Sequence, residues 1–417
     1  MSGPRRQRAV EEHPGFAGGR RALGGLGAMS GPPSHKAMRI AVVTHVMPYP
    51  ADSGTRIRVA RIVGALKRHH DVTLLSLEPG DADGAATALG VPVAVHPARA
   101  RRGLAPVAVA RETTAAVWRA VRDWRAAAVH LQGTFGAAAA GLGRARGPVP
   151  AIIDEGCVYH LSYRRAAALA PTGLRRARGR LRTWRLHRFE QALARHAYAV
   201  VAVSADEAAL VRAIAPTTRV VLAPNGVDVD ALKPSPPGDA ALFVGLLSYA
   251  PNRDAMTWFA REVLPRLGPD GPEVLIAGRE PGPVLQSLAR GAPRLRLLGF
   301  VPDLAPLYAQ AGVFVNPMRG GGGTRLKMLE AMAAGKAVVS TTIGAEGLAL
   351  TPGRDVVIAD TAAEFATAVR ALLADRAQAS RLGRAARALV EARYRWEACL
   401  APIEDLYTSL ERREATA

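Results

Sequence analysis

The chain has 417 residues, of which 49% are hydrophobic, so it can form two or three domains with sizeable cores. Its formal net charge is +20, and its two cysteines, Cys157 and Cys399, lie far apart in sequence. This cysteine usage excludes a disulfide-rich secreted domain and a zinc site built from cysteine pairs. The same two cysteines favour a reducing cytoplasm and no bound metal ion. The sequence contains no run of 18 apolar residues, so we expect no membrane-spanning helix.

The start of the chain differs in composition from the rest. Residues 1–37 mix Gly, Arg, Pro and Ser without helical or strand periodicity, and they lack the continuous apolar core of a signal peptide. We therefore expect a disordered N-terminal extension, with the first strand beginning near Met38.

From Met38 onward, short runs of Val, Ile and Leu alternate with longer helical patterns, which is typical of βαβ units and parallel sheets. In the first half the pattern predicts helices at 54–68, 107–124 and 173–197, and strands at 40–44, 72–77, 127–131, 151–154, 199–203 and 219–222. In the second half it predicts strands at 241–245, 273–277, 295–298, 313–315 and 337–340.

Between these halves, Pro and Gly residues interrupt all periodicity within 223–240, which indicates a linker. The predicted fold class is therefore α/β, with two Rossmann-like doubly wound domains at 38–222 and 241–392. Ligands of such folds bind at the carboxyl ends of the strands, so the two domains should face a central cleft.

A run of four glycines, from Gly320 to Gly323, follows the predicted strand at 313–315 and leads into an amphipathic helix. Glycine amides and a helix N-terminus together form an anion-binding pocket, so a phosphate-bearing ligand is the expected guest. At helical spacing Gly323, Lys327 and Glu330 share one face, which would bring a cation and a carboxylate to the same ligand. A plainer interpretation also stands: Lys327 and Glu330 form an ordinary surface pair, and the glycines make a turn.

A second charged feature lies between residues 164 and 195, where ten arginines accompany the single acid Glu190. On a helix they would form basic faces that attract anionic lipid headgroups or nucleic acid. The side chains that would contact an anionic membrane are Arg175, Arg176, Arg178, Arg182 and Arg185. Aromatic residues are scarce, so we expect no nucleic-acid partner. A compositional bias towards arginine on a solvated helix explains the pattern equally well.

Several ordered motifs of the second half resemble those of one enzyme family. They are Phe-Val-Gly at 243–245, Ser-Tyr-Ala-Pro-Asn at 248–252, Leu-Gly-Phe-Val-Pro-Asp at 298–303, the glycine loop, Leu-Glu-Ala-Met-Ala-Ala-Gly at 329–335 and Gly-Ala-Glu-Gly at 344–347. This set resembles the donor domain of retaining glycosyltransferases with the GT-B fold, family 4. The nearest resemblance is to the sugar transferases of exopolysaccharide and capsule assembly.

The resemblance implies a donor site for a nucleotide diphosphate sugar, with no other cofactor. The implied contacts are Lys327 and Arg325 to the diphosphate, Glu330 to the ribose hydroxyls, and further donor contacts from Gly245, Arg253, Gly321, Gly322, Gly323 and Thr324. Gly322 stands where many relatives carry an acid that contacts the sugar. The resemblance also implies that 38–222 forms the acceptor side and that a helix within 393–417 crosses back to it.

In the first half, Gly54 lies at a predicted helix start, and the resemblance implies that it approaches the donor phosphate or the acceptor. An N-cap formed by Ser53, with Gly54 easing the turn, is an equal alternative. Relatives often carry a histidine where this chain has Gly156 and Cys157, and the chain offers His130 and His160 nearby instead. We take His130, at a predicted strand end facing the cleft, as the better candidate and add it to Lys327 and Arg325 as a catalytic candidate. A structural role stays open for His130.

These features together predict a glycosyltransferase, cytoplasmic or peripheral at the inner face of the membrane. It would move a sugar, with retention, from a nucleotide diphosphate sugar to a lipid-linked or polysaccharide acceptor. Two alternatives stay open: a nucleotide-sugar epimerase or phosphorylase on the same scaffold, and a non-catalytic basic module that binds membrane or nucleic acid.

Overall fold

The computed structural model describes residues 38–98, 109–155, 158–168 and 173–414, and the predicted extension at 1–37 lies outside this part of the chain. The first half forms a parallel sheet of seven strands: β1 (Arg39–Thr44), β2 (Asp71–Ser76), β3 (Val93–Val95), β4 (Ala128–Gln132), β5 (Ala151–Glu155), β6 (Ala199–Ala202) and β7 (Arg219–Leu222). The strand order is β3-β2-β1-β4-β5-β6-β7.

Helices cover both faces of this first sheet. They are α1 (Gly54–Leu66), α2 (Ala82–Leu89), α3 (Arg111–Asp123), α4 (Gly133–Ala139), α5 (Tyr159–Ala168), α6 (Gly173–His196) and α7 (Ala205–Ile214). Within the described residues, none of the helices of the protein is both long and apolar enough to cross a lipid bilayer.

The second half forms a parallel sheet of six strands in the order β10-β9-β8-β11-β12-β13. These strands are β8 (Ala240–Val244), β9 (Val274–Ala277), β10 (Leu295–Gly299), β11 (Ala311–Asn316), β12 (Ala337–Ser340) and β13 (Val357–Ile358). The helices are α8 (Ala250–Trp258), which continues through a π turn and a 3-10 turn to Leu267, α9 (Gly282–Arg290), α10 (Ala305–Gln310), α11 (Leu326–Ala333), α12 (Thr342–Ala345), α13 (Ala362–Ala374) and α14 (Arg376–Arg393). The two doubly wound sheets confirm the predicted fold class.

The strand order reverses direction at one place in each sheet. In the first sheet β1 pairs with both β2 and β4, and in the second β8 pairs with both β9 and β11. The connections on the two sides of such a point run to opposite faces, which opens a crevice at the carboxyl ends of the central strands. The glycine loop follows β11, so it borders the crevice of the second sheet.

The last helix, α15 (Trp396–Glu414), packs against α1 and β7 of the first half. Its buried side chains, among them Trp396 and Tyr407, share one core with Ile40 of β1. The chain therefore returns to the first sheet after it has completed the second.

The segment between β7 and β8 is attached to this returning chain. The Val227 amide donates to the Tyr394 carbonyl over 2.7 Å, and Val227 and Val229 are buried. Gly226 permits the contact, because a Cβ atom there would lie 2.7 Å from Cα of Trp396. Part of the predicted linker is thus a packed strip rather than a free connection.

Gly226→Ala is expected to destabilise the protein by about 1–3 kcal/mol, because the backbone of Trp396 cannot move aside without shifting α15. Urea unfolding followed by circular dichroism measures the change. Gly64→Ala is the matched control, since Gly64 lies inside α1 and a Cβ atom there would have no neighbouring atom within 4 Å, so alanine should stabilise by about 0.5–1 kcal/mol. Equal stabilities of the two variants would contradict the packing described for Gly226.

Candidate active site

The loop between β11 and α11 has a backbone that requires glycine. Gly321 has φ of 99° and Gly323 has φ of 75°, values that other residues rarely adopt. Because Gly323 is in this left-handed conformation, α11 begins only at Leu326. The expectation that Gly323 shares a helical face with Lys327 and Glu330 is therefore wrong, although the last two do lie one turn apart on α11.

Lys327 is held at the crevice of the second sheet by two side chains. Its Nζ donates to Oδ1 of Asn252 over 2.5 Å and lies 4.4 Å from the ring centre of Phe243. Asn252 is fixed in turn, because its Nδ2 donates to the Leu246 carbonyl over 2.8 Å. Gly245 leaves room for this arrangement, since a Cβ there would lie 3.0 Å from Nζ of Lys327.

Lys327 and Glu330 share an environment that brings their pKa values together. Burial raises the pKa of the Glu330 carboxyl to about 7, and the Lys327 ammonium opposes that rise. Burial also lowers the pKa of Lys327 to about 7, with a further decrease from Arg325 and an opposing effect of Glu330. Both groups can therefore change charge when a charged ligand arrives near neutral pH.

Arg325 braces the loop in this structure. Its guanidinium donates to the carbonyl of Gly322 and, over 3.2 Å, to the carbonyl of Ile343. The side chain is 5% exposed, so its charge lies inside the loop rather than in solvent. Its predicted contact with a diphosphate stays a prediction.

Two side chains of the first half reach the same loop. Oε1 of Glu207, from α7, accepts the Gly323 amide over 3.1 Å, and burial raises the pKa of this carboxyl. Nδ2 of Asn225 donates to Oγ1 of Thr324 over 2.7 Å. Asn225 was expected only as part of a linker, and Glu207 was not singled out from the sequence.

Asn225 also belongs to a buried polar chain that crosses the first half. Its Oδ1 accepts from Nη1 of Arg58 over 3.0 Å, and Arg58 binds both carboxylate oxygens of Asp154 through Nη2 at 2.6 Å and Nε at 2.8 Å. Arg58 and Asp154 are both buried, so loss of either side chain would leave the charge of the other buried without a partner. Through Asn225 and Thr324, this chain joins β5 and α1 to the glycine loop.

Gly54, at the start of α1, faces the first residue of α11. A Cβ at Gly54 would lie 3.1 Å from Cδ1 of Leu326, the first residue of α11. Ser53 has an extended backbone but makes no capping hydrogen bond through its side chain, so the hydroxyl cap considered as an alternative does not form. The start of α1 thus lies beside the start of α11.

Arg253 and His130 occupy supporting positions. Nη1 of Arg253 donates to the Leu247 carbonyl over 3.4 Å, which places this side chain on the turn that follows β8.

His130 is fully buried in the middle of β4, and its Nδ1 lies 3.1 Å from the Tyr407 hydroxyl. Burial lowers the pKa of His130 to about 4. The expectation that His130 ends its strand and faces the cleft is wrong, because β4 continues to Gln132.

Of the remaining sequence candidates, Gly156 and Cys157 lie outside the described residues. Arg175 belongs to α6, and its side chain lies outside the described part of the structure. Arg176, Arg178 and Arg182 are exposed on α6. Within the described residues, no group of three His, Cys, Asp or Glu side chains is arranged to hold a metal ion.

Two doubly wound sheets, with a glycine-rich loop at the crevice of the second, match a GT-B architecture. Residues 53–226 match the glycosyl transferase 4-like domain, and residues 238–375 match the glycosyl transferases group 1 domain. The two matches lie one on each sheet and together span most of the chain. The chain therefore carries two domains of glycosyltransferase families, arranged in a GT-B fold.

Solved structures share this fold at low sequence identity. The sucrose-phosphate synthase of Thermosynechococcus elongatus is 19% identical with a TM-score of 0.70, over 89% of this chain and 99% of that one. Anabaena HepE in complex with UDP and glucose is 17% identical with a TM-score of 0.66, over 89% of this chain and 100% of that one.

A curated relative matches a shorter segment. It is an uncharacterized 44.6 kDa protein in the cps region of Klebsiella pneumoniae, 32% identical over 134 residues. The match covers 30% of this chain and 34% of the relative, so the chain spans about a third of the length of this relative.

Proposed function

We propose that the protein transfers a sugar, with retention, from a nucleotide diphosphate sugar to a lipid-linked or polysaccharide acceptor. The observation that carries the proposal is the arrangement of Lys327 and Glu330 on α11, one turn apart, directly after a glycine loop at the crevice of the second sheet. The complexes of Anabaena HepE with UDP and UDP-glucose make uridine nucleotides the first donors to test.

In this proposal the protein acts on the donor through charge and position. Lys327 and the amides at the start of α11 stabilise the diphosphate as it leaves, and Glu330 accepts hydrogen bonds from the ribose diol. The bond between the anomeric carbon and the diphosphate oxygen breaks, and the acceptor hydroxyl forms the new glycosidic bond on the same face. The departing diphosphate takes the proton of that hydroxyl, so no side chain has to act as the base.

Gly322 leaves the sugar end of the site without a side chain. The Gly322 carbonyl accepts a hydrogen bond from Arg325. At this position the loop therefore has only backbone groups, where a carboxylate would otherwise bind the hydroxyls of the sugar. We propose that this protein recognises its donor mainly through the nucleoside and the diphosphate.

A screen of nucleotides by thermal shift tests the donor assignment. A nucleoside diphosphate present at about 100 times its dissociation constant should stabilise the protein by about 2.7 kcal/mol, and the matching nucleoside alone should do much less. Absence of a shift with every nucleoside diphosphate would contradict the proposal.

Product analysis with the best donor separates transfer from the alternative of an epimerase. A transferase releases the nucleoside diphosphate, and faster with an acceptor present. An epimerase would convert the sugar while it stays attached to the nucleotide, without any acceptor. Conversion of this second kind would overturn the proposed reaction and leave the donor site intact.

A further inference from the structure

A long groove on the first half lies away from the residues of the proposed donor site. It has a volume of about 920 Å³ and lies between α5, α6 and α7. The residues of α6 that line it, such as Arg176, Arg180, Trp184 and Gln191, recur on one face of the helix. At 1.5 Å per residue they extend over roughly 20 Å of that helix.

One end of this groove is basic. Arg164 of α5 lines it together with Arg176 and Arg180 of α6, and no Asp or Glu is among the described residues that line the groove. Glu190, the single acid between residues 164 and 195, is buried, accepts from the Tyr159 amide over 2.9 Å and lies 2.5 Å from Nδ1 of His160. Its charge is therefore already engaged inside the first half.

The side of the groove that α7 contributes is apolar, while His160 and His187 also line the groove. Leu210, Ala213 and Ile214 of α7 line it, and Nε2 of Gln191 donates to the Ile214 carbonyl over 2.8 Å, which ties α6 to the end of α7. A ligand that fills the groove would place an anion against the arginines and hydrocarbon against α7. That polarity is the chemistry of a phosphate-bearing lipid.

The rim of the groove carries large apolar side chains among the arginines. Trp184 is 60% exposed and Leu181 is 49% exposed, and Arg178 and Arg182 lie beside them on α6. Tryptophan and leucine combined with arginine are the side chains that helices use to lie in the interface of an anionic bilayer. Nucleic acid would instead require successive aromatic faces for its bases, and Trp184 stands as a single indole here.

We propose that this α6 groove binds a phospholipid of an anionic membrane surface, with the phosphate between Arg164, Arg176 and Arg180 and the hydrocarbon against Leu210 and Ile214. Trp184 enters the interface beside it. This site shares no residue with the proposed donor site, so each proposal can fail without the other.

Sedimentation of the full chain with vesicles tests this inference. Binding is expected to phosphatidylcholine vesicles that contain phosphatidylglycerol, and not to phosphatidylcholine alone. The triple variant R164E/R176E/R180E should bind at least about 100-fold more weakly, since each basic residue near the surface contributes about a fivefold effect and reversal of its charge adds to that. Trp184→Ala, with unchanged charge, should weaken binding several-fold.

The matched control is R354E/R381E/R384E, which changes the net charge equally at exposed arginines of the second half. It should retain most of the vesicle binding. Equal losses of vesicle binding in the two triple variants would mean that only net charge matters, and would overturn the groove as the binding site. Release of the protein from the vesicles by inorganic phosphate, at a concentration equal to that of the lipid phosphate, would overturn the assignment of a lipid ligand. Stronger binding to RNA than to vesicles would overturn it as well. UDP affinity is measured on both variants and should not change.

Discussion

Glu330→Ala is expected to lower the affinity for UDP by at least about 100-fold, because two hydrogen bonds to a carboxylate contribute about 1.5–3 kcal/mol each. The change also acts on Lys327, whose pKa is kept from falling further by Glu330. Without that carboxylate, Lys327 would be less protonated at neutral pH and would bind the diphosphate less well. Isothermal titration calorimetry at pH 7 measures the combined loss.

The control for this prediction is Asp270→Ala. Asp270 is an exposed carboxylate before β9, at the amino end of that strand and thus at the opposite edge of the sheet from the glycine loop. It should bind UDP as the unchanged protein does. An unchanged UDP affinity of Glu330→Ala, in a protein that still unfolds at the original temperature, would remove Glu330 from the donor site.

Lys327→Gln is expected to weaken the binding of inorganic pyrophosphate by about 10- to 100-fold at about pH 6, where the original lysine is protonated. Pyrophosphate is the chosen ligand because it has no ribose, so it lacks the contact that is proposed for Glu330. Lys233→Gln, at an exposed lysine before β8, is the control and should leave the affinity unchanged.

The pH dependence of Lys327 has a definite sign. Its pKa is lowered to about 7 in the free protein, and a bound anion would raise it again, so binding takes up a proton. Pyrophosphate affinity should therefore fall, relative to that of Lys327→Arg, as the pH rises above 7. The arginine variant stays charged, and the ratio of the two affinities removes the ionisation of pyrophosphate itself. A ratio that is independent of pH would mean that Lys327 does not contact the anion.

Much of the fold was predictable because the strands of a parallel sheet are buried on both faces and form continuous apolar runs. β12, for example, has the predicted bounds and is fully buried. The strands that the sequence did not indicate, β3 and β13, have three and two residues and are only partly buried. Such short edge strands depend on pairing with a neighbour rather than on their own pattern.

The residues of the candidate site also fall into those that the sequence identified and those that it missed. Lys327 and Glu330 were identified because they lie close in sequence to a glycine run, and one turn of helix brings them together. Asn252, Glu207 and Asn225 contact the same loop or helix from 75, 116 and 99 residues away. Local patterns carry no information on contacts of that separation. His130 was misplaced for a simpler reason, since the end of its strand was set one residue too early and its burial could not be read.

The buried chain from Asp154 through Arg58 and Asn225 to Thr324 bears on how donor specificity could be exchanged between relatives. A chimera that joins this first half to a foreign second half would keep Arg58 and Asn225 but could lose the hydroxyl of Thr324 that Asn225 binds. The exchange should then be favoured by a second half whose loop offers a hydrogen-bond acceptor at that position. Thr324 is thus one position at which the second half has to match the first half of the protein.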